Sequence, residues 1–202
     1  MGADRTGAAL RKGLSGLGKP FTALLIVDSM KYLETSIAVL NEETRFGASG
    51  IYVTLNRPYV SLINVLKKNK CRTDGVVFID CITKTAGQNE KTKDVVYVRS
   101  PQALTALSIA VSRAAKELNR SNDAPDKFLI LDALTTLAVY NPQNTVSRFL
   151  HSLINMTRIL KLNCVLLSTE TMDSGLSDHL EQLVDQTIDL NGKSRGGRRR
   201  KQ

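Results

Sequence analysis

The chain has 202 residues, 42% of them hydrophobic and 5% aromatic, with a formal net charge of +9. That composition suits one ordinary globular domain with a sizeable core and excludes a fibre. No apolar run reaches the roughly 18 residues that cross a bilayer, and the N-terminus lacks the apolar segment and cleavage site of a signal peptide, so a cytoplasmic protein with no membrane partner is expected.

Cys71, Cys81 and Cys164 are scattered without C-x-x-C spacing, and only His151 and His179 could join them. Neither a disulfide framework nor a metal site is expected from such a set. The basicity is unevenly placed. Arg5, Arg11, Lys12 and Lys19 outweigh Asp4 in residues 1–20, and Lys193, Arg195, Arg198, Arg199, Arg200 and Lys201 crowd the tail "KSRGGRRRKQ", which leaves the middle of the chain neutral. Ends so rich in Gly and charge bury too little surface to offset their ordering entropy. The expected organisation is a flexible basic segment over 1–20, one α/β domain over 21–191, and a disordered basic tail over 192–202.

In chain order, the first motif is "GLSGLGKP", Gly13 to Pro20, with the spacing of a phosphate loop, G-x-x-x-x-G-K-[ST], and Pro20 in place of the hydroxyl. Such a loop works between a strand and a helix, where backbone N–H groups converge on the anion. This stretch precedes the first apolar run, and Pro20 supplies neither N–H nor hydroxyl, so it reads as a lead-in.

Strands are expected at Phe21–Val27, Gly50–Leu55, Gly75–Asp80, Asp94–Val98, Lys127–Asp132, Asn163–Ser168 and Gln186–Leu190. Several are continuously apolar, as when both faces of a sheet are covered. A polar surface loop is expected at Thr83–Lys93. Ser100 followed by Pro101 predicts a helix start, with Leu104, Leu107, Val111, Ala115 and Leu118 along one face. A second helix is expected over Asn144–Leu162, with Val146, Phe149, Leu150, Leu153, Met156 and Leu160 inward. Strand and helix in alternation predict a doubly wound, mostly parallel α/β sheet with helices on both faces.

The loop in the right place for phosphate follows "LLIV" and reads "DSMKYLET". Set against the phosphate-loop pattern, Asp28 and Leu33 replace the glycines, Glu34 replaces the lysine, and only Thr35 keeps its hydroxyl. A Leu side chain resists the positive φ that glycine allows. A carboxylate in place of an ammonium reverses a term of about 4 kcal/mol at 4 Å, and a quarter of that swing still costs ten-fold in affinity. Lys31 lies nearby, but would have to fold back on the loop to compensate.

The strings "IYVTLNR", "FLILDALTTL", "VLLSTE" and "LVDQTIDL" resemble the corresponding strands of RecA-like ATPases of the KaiC and RadA type, above all their single-domain archaeal members. The likeness runs from about Phe21 to Leu190 and implies the RecA-like, P-loop NTPase fold. It implies that Asp132 matches the Mg²⁺-associated Asp, that Asn56 and Arg57 stand where an acidic pair activates water, and that Ser168, Thr169 and Glu170 lie near the γ-phosphate position. It also implies side-by-side association with itself or with an active relative.

With phosphate loop and general base both replaced, no ATP or Mg²⁺ requirement and no catalytic residue is expected. Asp132 then serves as a helix or turn cap. Asp80 ends a strand beside Cys81 without a His or second carboxylate to make a catalytic pair. Three readings follow. One is a pseudo-ATPase acting as a binding or regulatory subunit. Another is a DNA- or RNA-associated protein working through its basic ends, Lys193 to Lys201 above all. The third is an ATPase with an unconventional nucleotide site.

Overall fold

The computed structural model describes residues 2–87, 95–121, 124 and 126–191. Seven parallel strands form one sheet in the order β4-β3-β2-β5-β6-β1-β7. They are β1 (Thr22–Val27), β2 (Ser49–Thr54), β3 (Val76–Asp80), β4 (Val95–Tyr97), β5 (Lys127–Asp132), β6 (Asn163–Thr169) and β7 (Gln186–Asp189). The helices are α1 (Gly2–Leu14), α2 (Tyr32–Thr44), α3 (Tyr59–Lys68), α4 (Leu104–Ser121), α5 (Leu134–Tyr140), α6 (Gln143–Ile159) and α7 (Ser174–Glu181).

Side chains alternate across the sheet with the period of an extended strand. Leu24, Ile26, Ile51, Val53, Leu129, Leu131, Cys164 and Leu166 face one core, which Leu107 and Val111 of α4 and Leu150 and Leu153 of α6 complete. Ala23, Leu25, Tyr52, Phe128, Ile130, Val165 and Leu167 face the other, covered by Leu10, Val39, Leu40, Leu62 and Leu66 of α1, α2 and α3. Two covered faces explain why these strands read as unbroken apolar runs. In register, Gly50 lies opposite Phe128, and a Cβ there would come 2.4 Å from the Phe128 ring. The glycine is there because the phenyl ring fills its side-chain volume.

Two expectations change. The segment read as a flexible lead-in is helical over Gly2–Leu14. Leu10 is fully buried, and Leu14 and Leu17 pack against the same core. These leucines recur at helical spacing, a one-sided stripe that the surrounding Gly and charge obscured. Arg11 adds an ion pair to Glu42 of α2 at 3.3 Å. The α4 helix begins at Leu104 rather than at Pro101, because Ser100 instead closes a turn, its Oγ accepting from the Gln102 N–H at 3.3 Å. Thr83–Ala86 forms a short 3-10 turn, and residues 88–93 of the expected polar loop, with Asp94 of the next expected strand, lie outside the described residues. No helix among the described residues is long and apolar enough to cross a membrane.

At the strand-start end of the sheet, Glu43 of α2 is partly buried, and the Asn163 amide donates to its Oε2 at 3.5 Å. Burial, with smaller contributions from the Asp126 and Glu42 charges and opposed by Asn163 and Lys19, pushes its carboxyl from 4.5 up to about 7. Folded Glu43 therefore keeps its proton to a higher pH than unfolded Glu43. Its contribution to stability is complete below about 4.5 and is lost as pH rises through about 7. Glu43→Gln should flatten urea-derived stability across this window. At pH 8 it should exceed the parent by about 3 kcal/mol; parallel pH profiles would refute the assignment.

Candidate functional site

The C-terminal ends of the strands place the loop from Asp28 to Thr35 beside Asp132. After β1 the backbone makes a 3-10 turn, Ser29–Lys31, before α2. Three consecutive N–H groups of this turn, the kind a phosphate would need, are taken within the chain. Ser29 N–H donates to Glu170 Oε2 at 3.0 Å and its hydroxyl to Oε1 at 3.0 Å. Met30 N–H donates to Asp28 Oδ1 at 2.8 Å, and Lys31 N–H to the Asp28 carbonyl at 2.9 Å. Glu170 therefore sits where it neutralises the turn, carried there by the end of β6, which pairs with β1 up to Val27–Thr169.

Asp132 ends β5, separated from β1 by β6. The gap of two strand spacings is roughly 10 Å, and the Tyr32 side chain bridges it. The Tyr32 hydroxyl donates to Asp132 Oδ1 at 2.5 Å, and the Tyr52 hydroxyl donates to Oδ2. Asp132 is 5% exposed and Tyr52 fully buried, so neither carboxylate oxygen has water as its main partner. Burial raises the Asp132 pKa, and the two phenol hydrogen bonds oppose that rise. Burial and then the Asp132 charge raise both phenols well above their ordinary value. Both remain O–H donors at neutral pH.

The other expected residues are placed as follows. Thr35 is buried in α2 at 1% exposure. Leu33 and Glu34 line a groove of about 670 Å³ between α1, α2 and α3, with Ile37 and Val65. Glu34 Oε1 is buried there without a hydrogen-bond partner among the described residues. The charge reversal expected from Glu34 thus faces this groove and not the strand-end crevice. Lys31 is exposed. Asn56 accepts from the Thr136 hydroxyl of α5, and Arg57 lies close enough for its charge to favour ionised Asp132. The Ser168 hydroxyl donates to the Thr169 carbonyl at 3.3 Å.

Asp80 is a structural carboxylate. It accepts from the N–H groups of Tyr59 at 2.6 Å, Ile82 at 2.7 Å and Thr83 at 2.9 Å, and from the Thr83 hydroxyl at 2.5 Å. Burial pushes the neighbouring Cys81 thiol, and likewise that of Cys164, up to about 12, which removes thiolate chemistry at neutral pH. Among the described residues no three His, Cys, Asp or Glu side chains converge on a metal-holding position. The "GLSGLGKP" segment lies at the opposite end of the sheet, where Lys19 Nζ pairs with Asp126 Oδ2 at 2.5 Å. The tail cations Lys193, Arg195, Arg198, Arg199, Arg200 and Lys201 lie outside the described residues.

Sequence reasoning missed Tyr32 and Tyr52. A tyrosine inside an apolar strand such as "GIYVTL" requires a buried acceptor, and the strand-end carboxylates Asp80 and Asp132 were the available ones. ATP with Mg²⁺ does not fit this set of residues as they are bonded: the carboxylate that would face the cation holds two phenols, and the three N–H groups of the turn are held by two carboxylates and a backbone carbonyl.

Residues 38–190 match a sequence family described as a family of unknown function (DUF7504). No curated protein matches the chain. Among solved structures, a KaiC-like protein from the hyperthermophilic archaeon Pyrococcus horikoshii is similar in fold, with a TM-score of 0.58 at 13% identity, covering 86% of this chain and 74% of that one. The Aeropyrum pernix ORC1 protein, solved in complex with DNA, gives a TM-score of 0.43 at 15% identity, covering 93% of this chain and 43% of that one. The sheet order, the helices on both faces and the KaiC-like neighbour together show the RecA-like α/β fold.

Proposed function

The chain belongs to the DUF7504 family of unknown function, and from that premise we propose that it is a catalytically inactive RecA-like domain serving as a binding or regulatory subunit. The observation that carries the reading is the closed set of contacts around Asp132, with Tyr32 on one carboxylate oxygen and Tyr52 on the other. A nucleotide would have to displace Tyr32, expel Glu170 from the Ser29 N–H and desolvate its own phosphates without a lysine. Each step costs binding free energy that no residue of the loop returns.

Its partners, in this reading, are macromolecules: a second copy or an active RecA-like relative, and DNA or RNA. The tail supports the nucleic-acid part, because Arg195, Arg198, Arg199, Arg200, Lys193 and Lys201 offer sequence-independent phosphate contacts. The test is a melting-temperature and hydrolysis assay with ATP and Mg²⁺ in excess. A ligand stabilises in proportion to its occupancy, so no upward shift and no turnover are expected. Turnover abolished by Asp132→Ala would establish an ATPase with an unconventional site instead.

A further inference from the structure

We propose that the strand-start rim of the folded domain, where the end of α4 meets the start of β5 and the turn after α6, is a groove that binds the phosphate backbone of double-stranded nucleic acid. The inference deepens the nucleic-acid part of the proposed function and rests on it. It assigns binding to the domain itself rather than to the tail.

Two clefts adjoin at this rim and share Asn119 and Leu160; among the described residues six cations line them, Lys19, Arg113, Lys116, Arg120, Lys127 and Lys161, against two carboxylates, Glu117 and Asp126. Both carboxylates are already engaged, Asp126 by Lys19 at 2.5 Å and Glu117 by Arg120 at 3.2 Å. Arg113, Lys116, Lys127 and Lys161 form no ion pair with any described residue.

The placement is built into the fold. Arg113, Lys116 and Arg120 recur at helical spacing on the exposed side of α4. Lys127 opens β5, and Lys161 sits in the left-handed turn after α6 with φ of 56°. The Asn119 side-chain amide donates to the Leu160 carbonyl at 3.1 Å, tying α4 to that turn and fixing the cations relative to one another. The neutral middle of the sequence therefore conceals a local surplus of cations at this rim, where Glu43, bonded to Asn163, is the nearest further carboxylate.

A surface that holds like charges together at a cost is complementary to a polyanion. Among the described residues no aromatic side chain lines the clefts, and these residues offer no platform on which unpaired bases stack. Contacts with phosphate suit a duplex, and carry no sequence preference.

The test measures binding of a short labelled DNA duplex to the full chain over a salt series. The variant Arg113→Gln, Lys116→Gln, Lys127→Gln, Lys161→Gln should bind at least ten-fold more weakly at about 0.1 M salt, with its log–log salt slope reduced by about 3. Lys116→Arg, Lys127→Arg and Lys161→Arg together should bind like the parent, and melting curves of both variants check their folding. A chain truncated after Gly192 should lose the tail's share and remain sensitive to the four glutamines. Unchanged affinity and slope in the glutamine variant would overturn the groove while leaving tail-mediated binding in place; no binding by the intact chain would remove both. A four-residue dependence seen with anionic lipid vesicles and not with duplex would also overturn it.

Discussion

Removing both phenols, Tyr32→Phe with Tyr52→Phe, is expected to lower the unfolding free energy at neutral pH by about 3–5 kcal/mol, the cost of a buried charge stripped of both phenol hydrogen bonds. For a chain of this size that is a fall in melting temperature of roughly 10 °C. The reason is geometric. Asp132 is 5% exposed, and its two oxygens are held by separate hydroxyls from β2 and the start of α2. Either single variant leaves one charge-assisted bond and should cost about 1.5–3 kcal/mol. The two changes act on one group, so their effects should not add. Adding Asp132→Leu to the double variant should restore much of the loss, since exchanging a whole buried polar set for apolar groups is close to neutral. Urea unfolding of the parent and the four variants reads out the series; a double variant as stable as the parent would mean that water, and not tyrosine, solvates Asp132.

The second large effect is expected at Gly50. A methyl group added there meets the Phe128 ring at 2.4 Å, inside the contact distance of any real pair of carbons. Both residues lie in the middle of the sheet under α2 and α3, and strand register prevents the backbone from moving away. Gly50→Ala should destabilise by about 1–3 kcal/mol, the range for an overpacked core. Phe128→Leu combined with Gly50→Ala should recover part of that loss by thermal or urea unfolding. Additive losses would show that the two side chains do not share one volume.

The strands were legible because two covered faces make each of them a short apolar run between turns. The expected Lys127–Asp132 coincides with β5, and the other strands differ by a residue or so at each end. The N-terminal helix was not legible. Gly2, Gly7 and Gly13 weaken its intrinsic propensity, and what holds it is tertiary: Leu10 buried against the core and Arg11 on Glu42.

The site was half visible. Pattern comparison identified Asp28, Leu33, Glu34, Thr35, Asn56 and Asp132 by position in the sequence, but hydrogen bonding joins residues 100 apart, Tyr32 and Asp132, and 141 apart, Ser29 and Glu170. Nothing local in the sequence reports such pairs. Glu34 illustrates the same limit from the other side. Its place in the loop suggested a charge facing the crevice, whereas its side chain lines the groove beside α1. The side chains that engage the turn after β1 and the Asp132 carboxylate are therefore Glu170, Tyr32 and Tyr52 rather than Glu34.

A structure determined from crystals soaked in ATP and Mg²⁺ tests the central claim most directly. The account predicts the Tyr32 hydroxyl still on Asp132, the Glu170 carboxylate still on Ser29, and no nucleotide at the strand ends. Phosphates seated on the turn from Asp28 to Thr35, with Tyr32 displaced from Asp132, would contradict it.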